Sequence, residues 1–362
     1  MSTAASTRWA SEARLTGNGR SGSRYDAFLL LSFGGPQGPE DVLPFLHNVT
    51  AGRGIPDERL AEVAAHYYHF GGVSPITAQN EALLAALAAE FDRRGFALPI
   101  YFGNRNWHPF VTDTARQLAA DGHREVLVLA TSATGSYSGC RQYRQDLARA
   151  ASAAPGVRFT KLRHYFDHPG FIEANADRVR SALAQLPGNG TDTARLVFTA
   201  HSVPVSMDAS AGPSGGLYSE QHRATATLVA EAVRGPGADF DLVWQSRSGP
   251  PQVPWLAPDV NDHLRSLAGD GVRSVVVAPT GFVSDHLEVL WDLDNEAAAT
   301  AAELGLDFVR AGTAGTHPAF VSGLADLVAE QLTGAPPEFL SSLGVCGWQC
   351  PDHCCPPPTR PS

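Results

Sequence analysis

Short runs of apolar residues alternate along the chain with longer amphipathic stretches, and this alternation restricts the fold more than any other feature. The runs span residues 27–33, 99–102, 125–131, 196–200, 241–245 and 274–278. Their nearly continuous apolar character predicts parallel strands that are buried on both faces. Helical spacing is seen over residues 57–68, 78–94, 109–120, 169–185, 219–234 and 284–304. The sequence therefore predicts an α/β fold with doubly wound parallel sheets.

The order of these runs occurs twice, together with the loops that follow them. LLLSFGGP at 29–36 is matched by LVFTAHSVP at 196–204, YFGNRNWHP at 101–109 by LVWQSRSGPPQVPW at 242–255, and VLVLATSATGSYSGC at 126–140 by VVVAPTGFVSDHLEV at 275–289. We infer two similar Rossmann-like halves. Open α/β sheets bind ligands at the carboxyl ends of their strands, so these loops are expected to line a cleft between the halves.

Composition shifts suggest where the parts of the chain begin and end. We expect a disordered leader at 1–24, an N-terminal half at 25–165, a C-terminal half at 166–317, a closing helix at 318–334 and a Cys/Pro-rich tail at 335–362. The leader is small and polar and has no apolar segment, which is unlike a secretory signal.

Charge and hydropathy exclude several classes of partner. The formal net charge is −10, whereas a nucleic-acid-binding chain favours a basic face. No run of 18 apolar residues is present, so no membrane-spanning segment is expected. We expect a monomer in the cytoplasm.

His201 directly follows one of the apolar runs, so its imidazole is expected at the ligand-binding edge of a sheet. An imidazole can accept a proton or bind a borderline metal such as Fe(II). The alternative is a loop histidine that bonds only to backbone.

A second candidate site is GFVSDHLEVLWDLDNEA at 281–297, where Ser284 or Asp285 is expected to cap a helix. Glu288, Asp292 and Glu296 follow at intervals of four, so an α-helix would place them on one face. Carboxylates bind hydrated cations without trapping them as thiolates would. This pattern favours a ladder that leads cations inward, and the alternative is an ordinary solvated acidic face.

The glycines of the loop SFGGPQGPEDV at 32–42 allow backbone to approach a flat ligand closely. This loop is not a GxGxxG and the chain has no Walker motif, so a nucleotide site is not expected.

Five cysteines are present, one at position 140 and four in the tail: Cys346, Cys350, Cys354 and Cys355. In a reducing compartment this grouping indicates metal ligation before disulfides. Four thiolates can hold an iron–sulfur cluster or a zinc ion. Cys140 is far from the tail in sequence and is a candidate for the ligand that docks it.

Many ordered motifs together resemble the ferrochelatase family, in its actinobacterial form. They are LLLSFGGP, NVTAGRGIP, HYYHFGGVSPI, YFGNRNWHP, KLRHYFDHP, VFTAHSVP, WQSRSGPPQVPWL, PDV and GFVSDHLEVLWDLD, and they cover roughly residues 26–333. The resemblance implies insertion of Fe(II) into a porphyrin in haem synthesis, with coproporphyrin III as the expected substrate. Open alternatives are protoporphyrin IX as substrate, a cobalt or nickel chelatase, and a haem-binding or haem-delivery protein without turnover.

The resemblance also implies roles for individual residues. His201 and Glu288 match the metal-binding catalytic pair, and Asp292 and Glu296 match an acidic ridge behind it. Porphyrin contacts are implied for the following residues: Ser74, Tyr143, Trp244 on the cleft wall, Phe33, and Arg53 as a donor to a propionate. Phe33 stands where some relatives have a tyrosine that ligates product iron, and phenylalanine cannot do so.

For the tail, the resemblance favours a [2Fe–2S] cluster over zinc. The expected ligands are Cys140, Cys350, Cys354 and Cys355, with Cys346 as the alternate. Because metallation needs no electron, such a cluster is expected to stabilise the tail or to sense redox state.

Overall fold

The computed structural model describes residues 8–9, 24–52, 54–188, 193–249, 252–347, 350–351 and 353–357. The chain forms two compact units. The first comprises Met1–Thr131, Gln142–Arg163 and Val321–Pro337, and the second comprises Ser132–Arg141, His164–Phe320 and Glu338–Ser362. None of the helices in these described ranges has the length and apolar character needed to cross a bilayer.

The sheet of the first unit has five strands in the order β1-β3-β2-β4-β5. They are β1 (Arg8–Trp9), β2 (Ala27–Ser32), β3 (Ile100–Asn104), β4 (Glu125–Ala130) and β5 (Arg158–Lys161). Strands β2 to β5 are parallel, and β1 pairs antiparallel with β3. Every residue of β2 is buried, as expected of a central strand covered on both faces.

Helices of the first unit span Pro39–Val49, Asp57–His69, Ile76–Arg94, Val111–Ala120 and Gln142–Ala153. The helix Pro318–Thr333 joins them through two ion pairs. Arg94 Nη1 lies 2.5 Å from Asp326 Oδ1, and the buried Arg163 Nη2 lies 2.8 Å from Glu330 Oε1. Because breaking a buried pair leaves an uncompensated charge, the second contact fixes this helix firmly.

The sheet of the second unit has four parallel strands in the order β7-β6-β8-β9. They are β6 (Arg195–His201), β7 (Asp241–Gln245), β8 (Ser274–Ala278) and β9 (Asp307–Arg310). The α-helices are Pro169–Leu183, Val205–Ala209, Leu217–Arg234, Val260–Gly269, Leu287–Val289 and Ala298–Leu304, and the π-helices are Tyr137–Arg141 and Leu290–Ala297.

The internal repeat predicted from sequence is confirmed by the strand order. In each unit the parallel strands lie in the order second, first, third, fourth along the chain. All six predicted strands are present, with ends that differ by at most two residues. The fourth strands, β5 and β9, were missed because they are partly exposed edge strands without a continuous apolar run.

Other predictions about organisation have mixed outcomes. The expected leader at 1–24 lies mostly outside the described residues, but its Arg8 and Trp9 form strand β1. The helix expected at 284–304 begins instead at Leu287, and its middle is a π-helix. The domain bounds that we expected from sequence remain a proposal.

Candidate functional site

His201 is the last residue of β6, at the carboxyl edge of the second sheet. Its Nδ1 lies 2.5 Å from the carbonyl oxygen of Ser202. A carbonyl only accepts hydrogen bonds, so Nδ1 carries the hydrogen and Nε2 of the neutral ring has a free lone pair. Glu288 Oε2 lies 3.6 Å from that Nε2, and both side chains are partly exposed. The structure therefore brings the predicted pair together, with the basic nitrogen facing the carboxylate.

Gly281 explains how the segment that carries Glu288 comes so close to β6. Its N–H donates to the carbonyl of Thr199 at 3.0 Å. A Cβ at this position would lie 2.5 Å from Cβ of Ala200, which is closer than real carbon atoms approach. Only glycine allows this approach, so the residue has a direct part in forming the pair.

His286 positions Glu288 and was missed in the sequence analysis. It caps the short helix Leu287–Val289, because its Nδ1 accepts the N–H of Glu288 at 3.2 Å. The expected cap at Ser284 or Asp285 is therefore wrong. Burial lowers the pKa of His286, which favours the neutral ring that this hydrogen bond requires.

The carboxylates that follow Glu288 lie on a π-helix, Leu290–Ala297, and not on the α-helix that the spacing of four suggested. A π-helix bonds residue i to i+5, so the expected α-helical stacking of these side chains is wrong in detail. Asp292 Oδ2 accepts hydrogen bonds from Ser246 Oγ and from Gln245 Nε2, the latter at 3.2 Å. Glu296 Oε1 accepts from Trp291 Nε1 at 2.8 Å and is exposed.

Burial raises the pKa of Asp292 to about 7. This pKa is the net result of burial and the charges of Glu288 and Glu296, which raise it, and of the hydrogen bonds from Ser246 and Gln245, which lower it. Ser246 has a φ of 62°, which is uncommon for a residue with a side chain. Gln245 ends β7 and Ser246 directly follows it, and this position at a strand end was the sequence signal for both. Neither residue type is distinctive enough to have been chosen as a site residue from the sequence.

The raised pKa predicts how stability depends on pH. Between about pH 4 and pH 7 the folded chain holds a proton on Asp292 that the unfolded chain has lost, so the free energy of unfolding falls as pH rises. Because asparagine does not titrate, Asp292→Asn should not show this loss. From pH 5 to pH 8 its free energy of unfolding should rise by about 2 kcal/mol relative to that of the parent chain. Urea denaturation of metal-free protein at both values measures it.

The matched control for this prediction is Asp262→Asn, because Asp262 is an exposed carboxylate. It should change stability equally at pH 5 and pH 8. If Asp292→Asn also behaves in this way, the buried carboxyl group is ionised throughout and its assigned pKa is wrong.

The residues expected to contact porphyrin differ in exposure. Phe33 is 39% exposed, whereas Ser74 and Tyr143 are buried, and Tyr143 is only 4% exposed. Arg53 lies outside the described residues. Ser74 packs tightly against the backbone of Gly35, because a Cβ added to Gly35 would lie only 2.7 Å from the Cβ of Ser74. The contact roles of these residues stay predictions.

Trp244 is buried within the second unit rather than exposed on a wall. Its ring stacks on Tyr218 with centroids 5.8 Å apart. The Tyr218 hydroxyl donates to the carbonyl of His201 at 2.8 Å. Trp244 thus supports the residue that holds the backbone of His201, and its expected contact with porphyrin remains a prediction.

Three tail cysteines lie next to one another. The sulfurs of Cys354 and Cys355 are 3.7 Å apart, and the N–H of Gly212 donates to Cys355 Sγ at 3.2 Å. Burial, followed by the neighbouring thiols of Cys355 and Cys350, raises the pKa of Cys354 to about 12. Crowded thiols of this kind lose their protons readily only beside a cation.

The other two cysteines are Cys346 and Cys140. Cys346 Sγ accepts from Gln221 Nε2 at 2.9 Å and lies 3.4 Å from His164 Nδ1. Cys140 is buried in the π-helix Tyr137–Arg141. Within the described ranges, no group of three or more His, Cys, Asp or Glu side chains is arranged to hold a metal ion. The cluster and its ligand set therefore remain a proposal.

Comparisons with known proteins agree with the resemblance drawn from the motifs. The sequence profile of the ferrochelatase family matches residues 25–332. A protein named coproporphyrin III ferrochelatase from Nocardia farcinica is 57% identical over 347 residues, covering 93% of this chain and 98% of the relative. One of the same name from Streptomyces coelicolor is 53% identical over 352 residues, covering 92% and 94%.

A solved structure, SirB from Bacillus subtilis with Fe3+, is similar in fold. It aligns with a TM-score of 0.52 at 13% identity, over 86% of this chain and 96% of its own. At that identity the likeness bears on the fold alone, and it agrees with two α/β halves.

Proposed function

Because this chain belongs to the ferrochelatase family, we propose that it inserts Fe(II) into coproporphyrin III to give coproheme, a lyase-class reaction of haem biosynthesis. The observation that carries the proposal is the pairing of His201 Nε2 with the Glu288 carboxylate at the edge of the second sheet. The names of the relatives support coproporphyrin III as the substrate. We also propose a cytoplasmic monomer.

Metallation replaces two pyrrole protons with one Fe(II), so the site must accept protons while it holds a cation. With Nδ1 bonded to the Ser202 carbonyl, His201 Nε2 is the free base that takes a pyrrole proton. The resulting imidazolium faces Glu288, whose carboxylate stabilises it and accepts the proton for release to solvent, so that Nε2 is free again to take the second pyrrole proton. The same contact between His201 and Glu288 therefore serves both metal binding and proton transfer.

Asp292 and Glu296 extend the carboxylate series behind Glu288. Their oxygens are hard ligands that suit a hydrated divalent cation in transit. Asp292 is held by the Ser246 and Gln245 side chains at the end of β7, and Glu296 is exposed. We propose that Fe(II) is received at Glu296 and passed toward Glu288 through Asp292.

We propose porphyrin-binding roles for Ser74, Tyr143, Phe33 and Arg53 in the first unit and for Trp244 in the second. Phe33 is the most exposed of those described and offers an aromatic face to a flat ring. Phenylalanine cannot coordinate iron, so we expect no protein phenolate on the product iron from this position.

We further propose that Cys140, Cys350, Cys354 and Cys355 hold a [2Fe–2S] cluster, with Cys346 as the alternate. Support comes from the adjacent sulfurs of Cys354 and Cys355 and from the Gly212 N–H that donates to the second of them. A backbone N–H of this kind stabilises a thiolate. Bonds between the cluster irons and these cysteine thiolates would order the tail. Metallation transfers no electron, so catalysis would not require the cluster.

Fe(II) insertion assayed side by side with coproporphyrin III and protoporphyrin IX tests the function. We expect kcat/KM to be at least about tenfold higher for coproporphyrin III, because each added propionate that finds a charged or polar partner contributes about 1 kcal/mol or more. Formation of the metallated product is followed by its absorption spectrum under anaerobic conditions.

Each other outcome of this assay assigns a different function. Equal or reversed specificity constants would make the chain a protoporphyrin ferrochelatase. Binding of haem without metallation of either porphyrin would make it a haem-binding or haem-delivery protein. Insertion of Co(II) or Ni(II) but not Fe(II) would make it another chelatase.

A further inference from the structure

Arg105 lies between the exposed ring of Phe33 and the interior of the first unit. Its Cζ is 5.8 Å from the centroid of the Phe33 ring and 4.6 Å from the centroid of the Tyr143 ring. A guanidinium over an aromatic face is attracted by the ring's negative quadrupole. One side chain thus contacts two of the aromatic residues that the proposed function assigns to porphyrin contact.

The charge of Arg105 is already paired. Its Nε lies 2.6 Å from Asp146 Oδ2, and the two side chains are 8% and 5% exposed. Tyr143 and Asp146 are three residues apart on the helix Gln142–Ala153, so one helical face contacts the guanidinium through both of them. Arg149, which is largely exposed, binds the same carboxylate from outside.

The backbone next to Arg105 is joined to the same loop as Phe33. The N–H of Arg105 donates to the carbonyl of Ser32 at 3.0 Å, and the N–H of Asn106 donates to the carbonyl of Phe33 at 3.1 Å. Both the main chain and the side chain of this segment therefore support Phe33. Tyr143, at 4% exposure, lies behind Arg105 and presents little surface of its own to a ligand.

We infer that Arg105, held by Asp146 and Tyr143, is a positioning residue that fixes the Phe33 ring for contact with the porphyrin. In this arrangement Arg105 does not bind a propionate, because its side chain is only 8% exposed and is directed to Asp146 inside the unit. The inference rests on the proposed function, since it assumes that Phe33 contacts the ring.

The main test is the double variant Arg105→Met with Asp146→Leu, in which neither charge is left buried alone. Porphyrin binding to the full chain is measured by fluorescence titration, and KM by initial rates. We expect Kd and KM for porphyrin to rise about tenfold, equivalent to about 1.4 kcal/mol, with kcat and KM for Fe(II) within about twofold of the parent. Arg149→Gln, which removes only the exposed cation, is the control and should change none of these values.

Two comparisons separate this role from others. The fold-increase in Kd should be equal for coproporphyrin III and protoporphyrin IX, because Arg105 acts through contact with a ring face and not with a propionate. Combining the double variant with Phe33→Ala should be no worse than Phe33→Ala alone. A loss confined to coproporphyrin III, full additivity with Phe33→Ala, or no loss at all would each overturn the inference.

Two single variants keep the inference testable if the double variant does not fold. Arg105→Lys keeps the charge beside Asp146 but loses the flat guanidinium, so it should weaken porphyrin binding about threefold or more. Tyr143→Phe keeps the ring under Arg105 but removes a hydroxyl that interacts with Arg105 and Thr131, so it should weaken porphyrin binding less than the double variant does. A loss as large as that of the double variant would place the effect at the hydroxyl and not at the guanidinium, against the inference. If the parent chain binds neither porphyrin, the proposed function itself is wrong.

Discussion

His201→Ala should lower the rate of Fe(II) insertion by about 100-fold or more while porphyrin binding stays within about tenfold of the parent chain. The imidazole is the group whose Nε2 is free to take a pyrrole proton, since its Nδ1 is engaged by the Ser202 carbonyl. Its removal leaves no base at this position. The residues proposed to hold the ring are elsewhere, so substrate affinity should change little. Single-turnover metallation and fluorescence titration measure the two effects separately.

Glu288→Gln should produce a loss of similar size, because the amide can neither stabilise the imidazolium nor bind Fe(II) as a carboxylate does. His263→Ala is the matched control, since His263 pairs with Asp241 Oδ2 at 2.9 Å in the same unit but has no place in the proposed chemistry. It should keep nearly full activity once its folding is verified. If either His201→Ala or Glu288→Gln retains more than about a tenth of the parental rate, its catalytic assignment is wrong.

The positions of His201 and Glu288 in the second unit could be predicted from the sequence. A histidine that directly follows a continuous apolar run must emerge at the carboxyl edge of a parallel sheet, so its location follows from the strand. The motif containing Glu288 follows another such run, and neighbouring parallel strands bring both to one edge. The family resemblance then supplied the roles that position alone could not.

Other parts of the site depend on features that no local pattern encodes. The π-helix Leu290–Ala297 has the same residue types as an α-helix, so its i to i+5 hydrogen bonding could not be predicted from them. Hydrogen bonds from Ser246 and Gln245 to Asp292 join this segment to the end of β7. His286 was passed over because a capping histidine is rarer than a capping serine or aspartate. Short-range rules failed at the functional segment, where packing overrides propensity.

The burial of Tyr143 and Trp244 shows a different limit. Both aromatic residues were expected at a ligand surface. The sequence indicates that an aromatic residue lies near a strand end, but it does not indicate which other side chains cover its ring. Arg105 covers one face of Tyr143, and Tyr218 stacks on Trp244. These partners come from other segments of the chain, so their effect is visible only in three dimensions.

The second large effect concerns the tail, and we expect anaerobically purified protein to be brown, with about two irons and two acid-labile sulfides per chain. Crowded thiols such as Cys354, whose pKa burial raises to about 12, are costly to ionise unless a cation accompanies them. Binding iron would relieve that cost and tie the tail to its unit. Cys354→Ser or Cys355→Ser should therefore abolish the visible spectrum and lower the melting temperature by several degrees.

Cys346→Ser is the matched control for this prediction, because Cys346 is a tail cysteine whose sulfur already accepts a hydrogen bond from Gln221. It should leave most of the spectrum intact, whereas Cys140→Ser should bleach the protein if Cys140 docks the tail. Colourless protein with one zinc per chain would replace the cluster with a structural zinc site. A full spectrum in Cys140→Ser would contradict the proposed ligand set. Bleaching in Cys346→Ser with a full spectrum in Cys350→Ser would make Cys346 the ligand and Cys350 the spare. Since the cluster adds no electron to metallation, the apo-tail variants should still insert Fe(II) at low temperature, where the loss of tail stability matters least.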